Sequence, residues 1–490
     1  MMIVAKFGGS SLANAGQIKK VAAIIQGKPE IKAVVVSAPG KRFAEDIKVT
    51  DLLIALFDAV QAVVGQIGQV GHQADALLQA EPVAEARQKV LDRYASILIE
   101  LGLSTELLAY FEDILNGYMA DIQEPERLLD ALKACGEDFN AQVISHYLVS
   151  LGLDAHYVSP KEAGILVTDE PSNARLFDES YAQIAKLRDR AGVLIIPGFF
   201  GYSKGGDIVT FSRGGSDISG AIIANGLGAD LYENYTDESF IYSMHPGKIA
   251  RPHPIKEITY SEMRELSYAG FGIFHEEALE PVYRNDIPVM IRNTNQPEIA
   301  GTKIVSKKEL DPRYPVTGVS SATGFTAISI SKYLLNREMG FMRRAIRFFE
   351  EAGVPVEHVP SGIDSISLVI RSANIQSPEH LAGILATIQD KLNPDSIQVE
   401  DDLCIFAIVG EAMRENVGVA AAASRTFADN HINIRMISQG ASEISMLFMI
   451  KAEDEDIALQ GLYQAYFPRE ALATLAAAAQ GEKKKVHFRT

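Results

Sequence analysis

At 490 residues, with 47% apolar and 22% charged side chains, the chain has the composition of a folded protein and exceeds one ordinary core, so two to four domains are expected. Its formal net charge of −17, from 46 basic and 63 acidic residues, works against an extended grip on nucleic acid phosphates. Cys135 and Cys404 lie too far apart in sequence to suggest a zinc spacing or a disulfide framework, and are expected as small core residues in a reducing compartment.

The first residues, "MMIVAKFGGSSL", place a lysine and two glycines where a signal peptide would carry its long apolar run. No later segment approaches the ~20 uninterrupted apolar residues of a membrane span, so a cytoplasmic protein without membrane contact is expected. "MIVAKF" predicts a strand, "GGSS" a tight loop, and Ile18, Val21, Ala22 and Ile25 a following helix. "KAVVVSA" reads as a strand buried on both faces of a parallel sheet. Residues 70–150 are expected to be mostly helical, broken at Gly102, Gly117 and Gly136. "GVLIIPGFFG" is a further buried strand ending in a glycine loop. "TFSRGGSDISGAIIANGLGADLYENYTD" then repeats the strand, loop, helix, strand order, with Ile218, Ala221 and Ile222 on the helix. Such alternation predicts an α/β domain over residues 1–305, with ligands at the C-terminal ends of its strands.

The remaining chain carries a repeat. Gly340 meets Gly418, Phe349 meets Phe427, Val356 meets Ile434 and Gly362 meets Gly440 at one constant offset of 78 residues (418 − 340). Each copy reads as helix, strand, turn, strand after an apolar strand, which suits a ferredoxin-like α+β unit. The units are expected at 315–395 and 400–475 in tandem, with a basic tail at 476–490.

Two glycine loops carry the chemistry. The chain has neither a G-x-x-x-x-G-K-[ST] run nor a G-x-G-x-x-G after a strand, so any phosphate site must follow another design. In "KFGGSS", Lys6 ends a strand and Gly8, Gly9 and Ser10 free the backbone for an anion, although a strand-end lysine is more often simply solvated. In "SRGGSD", Arg213 offers a bidentate fork for a carboxylate, Gly214 and Gly215 admit a close ligand, and Ser216 or Asp217 caps the next helix. An ordinary glycine turn with a cap explains that loop about as well when it is taken alone.

Together with "NYTD", "ELSYAGFGIFHEEAL" and "SQGASEIS", these loops resemble aspartate kinase, of the amino-acid kinase fold with paired ACT regulatory units. The resemblance spans nearly the whole chain in the family's order. It implies ATP-dependent phosphorylation of the side-chain carboxylate of L-aspartate with Mg²⁺, the first step of lysine, threonine and methionine biosynthesis. By the same resemblance Lys6 and Asp217 are catalytic, and Thr50, Glu137, Phe199, Arg213, Gly214, Gly215 and Ser216 bind aspartate. Glu137 would receive its ammonium. Lys6, Gly8, Gly9, Ser10, Thr236, Asp237 and Tyr242 would contact ATP, with no protein metal ligand. Two positions depart from the family pattern: Gly247 stands in "MHPGKI" where relatives have an arginine, and Gly272 in "GFGIFHEEAL" where many have a lysine. Lys248 is the candidate replacement near the phosphates. Glu338, Gly340, Phe341 and Glu357 would hold a regulatory amino acid, two acids favouring lysine over threonine, in a homodimer or higher homo-oligomer joined through the ACT units. A different amino-acid kinase, or a non-catalytic amino-acid-sensing subunit, are the alternatives.

Overall fold

The computed structural model describes residues 1–67, 74–212, 214–268, 270, 276–440 and 442–468. They form two compact units. The first holds the described residues of Met1–Ile241, Lys256–Tyr260 and Ile273–Lys308; the second holds those of Tyr242–Ile255, Ser261–Gly272 and Glu309–Thr490. The first unit thus ends near the expected boundary at 305, yet two stretches ahead of that boundary join the second. Burial explains the exchange: Met244 and Ile249 sit in one apolar core with Val319, Phe406 and Phe427. Fully buried Glu262 accepts from the Thr317 hydroxyl at 2.6 Å and the Glu411 amide at 2.9 Å.

In the first unit, β1 (Ile3–Phe7) is buried along its whole length. A short 3-10 turn over Gly9–Leu12 intervenes before α1 (Ala15–Gly27), so the glycine loop does not itself open the helix. Asn14 caps α1, its side chain accepting from the Gln17 amide at 3.0 Å, and Ala15, Ile18, Val21, Ala22 and Ile25 form the buried stripe. Next come β2 (Ile31–Val36), α2 (Val49–Ile67), α3 (Ala74–Gln79), α4 (Glu81–Leu101), α5 (Glu106–Asp121) and α6 (Pro125–Ser150). Gly102 ends α4 with φ 74°. Gly117 and Gly136, expected as breaks, lie inside α5 and α6 instead. A Cβ at Gly136 would sit 2.9 Å from the Ala38 Cβ, so this glycine lets α6 settle onto the loop after β2; nothing in the structure explains Gly117.

The chain continues through β3 (Ala155–Tyr157), α7 (Pro160–Ala163), α8 (Glu179–Ile184), β4 (Val193–Pro197), β5 (Phe200–Tyr202), β6 (Ile208–Thr210), α9 (Gly215–Leu227) and β7 (Leu231–Thr236). β8 (Ile241–Tyr242) and β9 (Pro254–Ile255) pair as a two-stranded sheet. After them come β10 (Glu257–Thr259), α10 (Tyr260–Tyr268), α11 (Glu280–Tyr283), β11 (Val289–Asn293) and β12 (Thr302–Val305). The main sheet has the order β10-β12-β11-β7-β1-β2-β4-β3. Strands β3, β4, β2, β1, β7 and β11 run parallel, and β12 turns antiparallel to β11. The chain moves outward from β1 through β2 on one side and returns through β7 on the other. Strand order therefore reverses between β1 and β7, where open α/β sheets leave a ligand crevice at their carboxyl ends. Glu233 pins this centre from within β7: it is buried, and receives Lys28 Nζ at 2.8 Å, Arg292 Nε at 2.7 Å and the Tyr235 hydroxyl at 2.9 Å.

In the second unit, β13 (Gly318–Ser331), α12 (Phe341–Glu351), β14 (Ser365–Arg371), α13 (Pro378–Leu392), β15 (Ser396–Val409), α14 (Val419–Asp429), β16 (Met436–Gln439), β17 (Ser445–Lys451) and α15 (Glu455–Tyr466) build one sheet of order β14-β13-β15-β17-β16. Both long strands are shared. Phe325 to Ser331 pair with β14, whereas Gly318 to Thr323 pair with the second half of β15. The two repeats are therefore nested, not in tandem: the first half of β13 is the outer strand of the second repeat, and the first repeat is inserted behind it. Each keeps its own core, one around Ile328, Phe341, Phe349 and Leu368, the other around Phe406, Phe427 and Phe448. Gly340 and Gly418 occupy equivalent left-handed positions at the starts of α12 and α14, with φ 74° and 102°. Cys135 and Cys404 are both buried and unbridged.

Candidate active site

The carboxyl ends of β1, β2, β4 and β7 bring the two glycine loops together. After β1, the Gly8 amide donates to the Tyr235 carbonyl at 3.0 Å, which ties the loop to β7. Gly9 meets Gly40 of the loop after β2: the Gly40 amide donates to the Gly9 carbonyl at 2.9 Å, and a Cβ at Gly40 would lie 2.6 Å from the Gly9 carbonyl carbon. Only glycine permits that approach. Arg93, buried on α4, holds the same loop from behind through the carbonyls of Ala13 at 3.1 Å and Gly40 at 2.5 Å, and pairs with Asp46 at 2.7 Å. Ser10 is exposed beside this contact.

Lys6 is buried, and its Nζ lies 2.7 Å from Asp217 Oδ1 in the first turn of α9. Asn234 on β7 donates to the same oxygen at 2.6 Å, so Asp217 joins side chains from β1 and β7. A Cβ at Gly8 would lie 3.5 Å from Lys6 Nζ, which places the ammonium directly under the glycine loop. Gly214 opens α9 with φ 78°, and Gly215 follows where a Cβ would lie 2.5 Å from the Phe199 ring. Phe199 itself takes a left-handed φ of 75°, held by the Ser219 hydroxyl, which accepts its amide at 2.9 Å.

Glu137, midway along α6, faces this cluster. It is only 5% exposed, and its Oε2 has no hydrogen-bond partner. Burial pushes its carboxyl up to about 8, against the opposing pull of the Ala38 amide, its own backbone amide, the Ser216 hydroxyl and the Lys6 charge. A buried acid with an orphan oxygen has the chemistry to accept a hydrogen-bond donor or a cation. Thr50 lies in the first turn of α2, next to Val49, which packs on Gly136.

Thr236 and the exposed Asp237 stand at the carboxyl end of β7, the threonine hydroxyl donating to the Asp237 carboxylate at 3.0 Å. Asn293 of β11 braces the turn by donating to the Asp237 carbonyl and to the Ser239 hydroxyl, both at 2.9 Å. Tyr242 and Lys248 belong to the second unit, where Lys248 Nζ is paired with Asp456 at 2.6 Å and Glu455 at 3.1 Å. Arg213 and Gly272 lie outside the described residues. Asn234, Asn293 and the Gly40 contact were not singled out from sequence. A polar Asn234 inside the buried run "LYENYT" was the available signal.

At the expected effector positions, Glu338 is paired with Lys332 at 2.7 Å and with Arg344, which together hold its carboxyl below the usual range. Glu357 receives the Tyr268 hydroxyl and lies 3.4 Å from Arg371 Nε. Phe341 is buried in the core of its repeat. The two acids are already matched by internal donors, so they are not a ready vacancy for two ammonium groups.

Residues 1–293 match the model of the amino acid kinase family, and residues 406–466 match an ACT domain model. Aspartokinase 3 of Bacillus subtilis is 48% identical over 95% of this chain and 99% of its own length. The chain belongs to the amino acid kinase family, among its aspartate kinases. The crystal structure of Clostridium acetobutylicum aspartate kinase, 34% identical, superposes with a TM-score of 0.81 over 95% of this chain and all of that one. Escherichia coli aspartokinase III, 23% identical, shares the fold in structures with aspartate and ADP (TM-score 0.73) and with lysine and aspartate (0.69), each covering 95% of this chain. They cover 100% and 99% of the E. coli chains. The α/β kinase fold with ACT units expected from sequence is thus the fold of this family. Among the described residues, no helix is long and apolar enough to cross a membrane.

Proposed function

We propose that this chain transfers the γ-phosphoryl group of ATP to the side-chain carboxylate of L-aspartate, yielding ADP and 4-phospho-L-aspartate. The observation that carries the reading is the unpartnered Glu137 Oε2 beside the Lys6–Asp217 pair. The substrate ammonium occupies that vacancy and keeps Glu137 ionised. Gly214, Gly215 and Phe199 form the adjoining wall, and Arg213 supplies the cation for a substrate carboxylate. Aspartate is then fixed with its side chain toward Lys6. A carboxylate oxygen attacks the γ-phosphorus, the bond to the bridging oxygen of ADP breaks, and Lys6 balances charge on the moving phosphoryl oxygens. Asp217 and Asn234 keep the ammonium under the loop of Gly8, Gly9 and Ser10. Thr236 and Asp237 sit where β7 meets the crevice and contact the nucleotide. Mg²⁺ would enter with ATP as a companion of its phosphates, as magnesium commonly does at kinase sites. When bound it neutralises phosphate charge.

The reaction opens lysine, threonine and methionine synthesis in the cytoplasm, and the ACT units make the enzyme a homodimer or larger homo-oligomer under feedback control. Lysine is the favoured effector, being the ligand named for the E. coli fold relative; threonine acts alone or jointly. Trapping the acyl phosphate with hydroxylamine tests the function. ATP, Mg²⁺ and L-aspartate should yield aspartyl hydroxamate, with glutamate and N-acetylglutamate inert. Turnover of either of these in place of aspartate would reassign the substrate, and no turnover of any would leave a sensing subunit.

A further inference from the structure

Helix α6 carries Asp130, Lys133, Glu137 and Asn140 at spacings that put all four on one face of the helix. Asn140 donates to the Ser37 carbonyl at 2.7 Å, anchoring the helix to the end of β2. Asp130, fully buried, is saturated. Its Oδ2 accepts the amides of Ser172 and Thr210, both at 2.8 Å. Its Oδ1 accepts the Ser172 hydroxyl at 2.7 Å, the Thr210 hydroxyl at 2.8 Å and Lys133 Nζ at 2.9 Å. Lys133 also donates to the Ser172 hydroxyl at 2.8 Å and the Thr210 hydroxyl at 3.1 Å, and its ammonium lies 5.7 Å from the Phe199 ring centroid. With three acceptors for three N–H bonds, Lys133 has none left for a ligand.

Thr210 is the last residue of β6. It pairs with Phe200 on β5, and the next amide, of Phe211, donates to the Phe199 carbonyl at 2.8 Å. Phe199 and Phe211 close on Gly215, where a Cβ would lie 2.5 Å from one and 3.0 Å from the other. Ser216 follows, beside Glu137. One helix therefore holds both sides of the pocket: the ammonium receptor directly, and the opposite wall through Asp130.

We propose that Asp130, with Lys133, is a positioning residue for the amino-acid substrate, setting the separation between Glu137 and the wall made by Phe199 and Gly214 to Ser216. The role rests on the aspartate kinase reading, which wild-type turnover tests by itself. Asp130→Asn keeps the shape but cannot accept at both atoms, and Lys133→Met removes the cation. With aspartate and ATP varied separately, the aspartate KM of Asp130→Asn should rise about 10- to 100-fold, while the ATP KM and the kcat at saturating aspartate stay within about threefold. Lys133→Met should show the same split, smaller. A purely structural role would reduce the active fraction and lower kcat without moving the aspartate KM. An unchanged aspartate KM in the folded variants, or equal rises for both substrates, overturns the proposal. If Asp130→Asn does not fold, Lys133→Met decides. If the wild type turns over no aspartate, that result falls on the proposed function, and calorimetric titration of L-aspartate into the same proteins reads the positioning role.

Discussion

Glu137 in the first unit lies buried with one carboxylate oxygen unmatched, whereas Glu338 and Glu357 in the second unit already have internal cations or hydroxyls. The difference is between an acid with an open acceptor and two acids whose ligands would have to exchange partners. Under the proposed function an ammonium arriving at Glu137 would offset a standing desolvation penalty without displacing a partner of its Oε2. In the proposed effector site, an ammonium arriving at Glu357 would have to displace Arg371 or the Tyr268 hydroxyl, and α10, which carries Tyr268, would lose its contact with the Glu357 repeat. Under that proposal binding and conformational change would be one event, which is what an inhibitor needs in order to favour one state over another.

The largest expected effect tests the open-acceptor side of this contrast. Lys6→Ala should lower kcat about 100- to 1000-fold with little change in ATP affinity, read from steady-state kinetics and nucleotide titration. Loss of ATP binding with kcat preserved would move Lys6 from the reacting group to a mere nucleotide contact.

Next comes Glu137→Ala, for which the aspartate KM should rise about 30- to 1000-fold, a loss of about 2–4 kcal/mol. The pH dependence has a defined sign. Glu137 must be ionised to receive the ammonium, and burial pushes its carboxyl up to about 8. Aspartate KM should therefore fall as pH rises from 6 toward 8, by up to about tenfold per unit, and level off above. Stability should move the other way. In this window the unfolded chain has already released the proton that folded Glu137 retains, so unfolding free energy falls by up to about 1.4 kcal/mol per pH unit without substrate. Glu137→Gln should flatten both profiles.

On the partner-exchange side, Glu357→Ala should raise the lysine concentration for half-inhibition about 5- to 30-fold and leave kcat without lysine intact. Full inhibition at the wild-type lysine concentration would remove Glu357 from the effector site. The smallest effect is expected at Lys248. Its half-exposed pairs with Glu455 and Asp456 are worth at most about 1 kcal/mol, so Lys248→Ala should keep kcat within about twofold. A large loss would return it to the phosphate-binding role that sequence suggested.

The strands were legible because β1, β2 and β4 are mostly apolar, and the two loops because Gly8-Gly9 and Gly214-Gly215 interrupt the pattern. Gly136 reads locally as a break because a helix can absorb a glycine where another chain segment presses on it, and a local reading does not see Ala38; Gly117 also lies inside its helix, with open space where a Cβ would sit. The repeat was visible in its 78-residue offset (418 − 340), but its nesting was not, since strand sharing depends on which halves of β13 and β15 meet. Asp130 was equally hidden. Its partners Ser172 and Thr210 lie 42 and 80 residues away, so only the four-residue polar stripe on α6 hinted at it.

The central claim is that Glu137 receives the substrate ammonium. Calorimetric titration of L-aspartate and of succinate, its analogue without the ammonium, into wild type and Glu137→Gln tests it most directly. The account predicts that wild type binds aspartate about 30- to 1000-fold more tightly than succinate, and that the ratio collapses toward one in Glu137→Gln. A ratio that survives the substitution unchanged would contradict it.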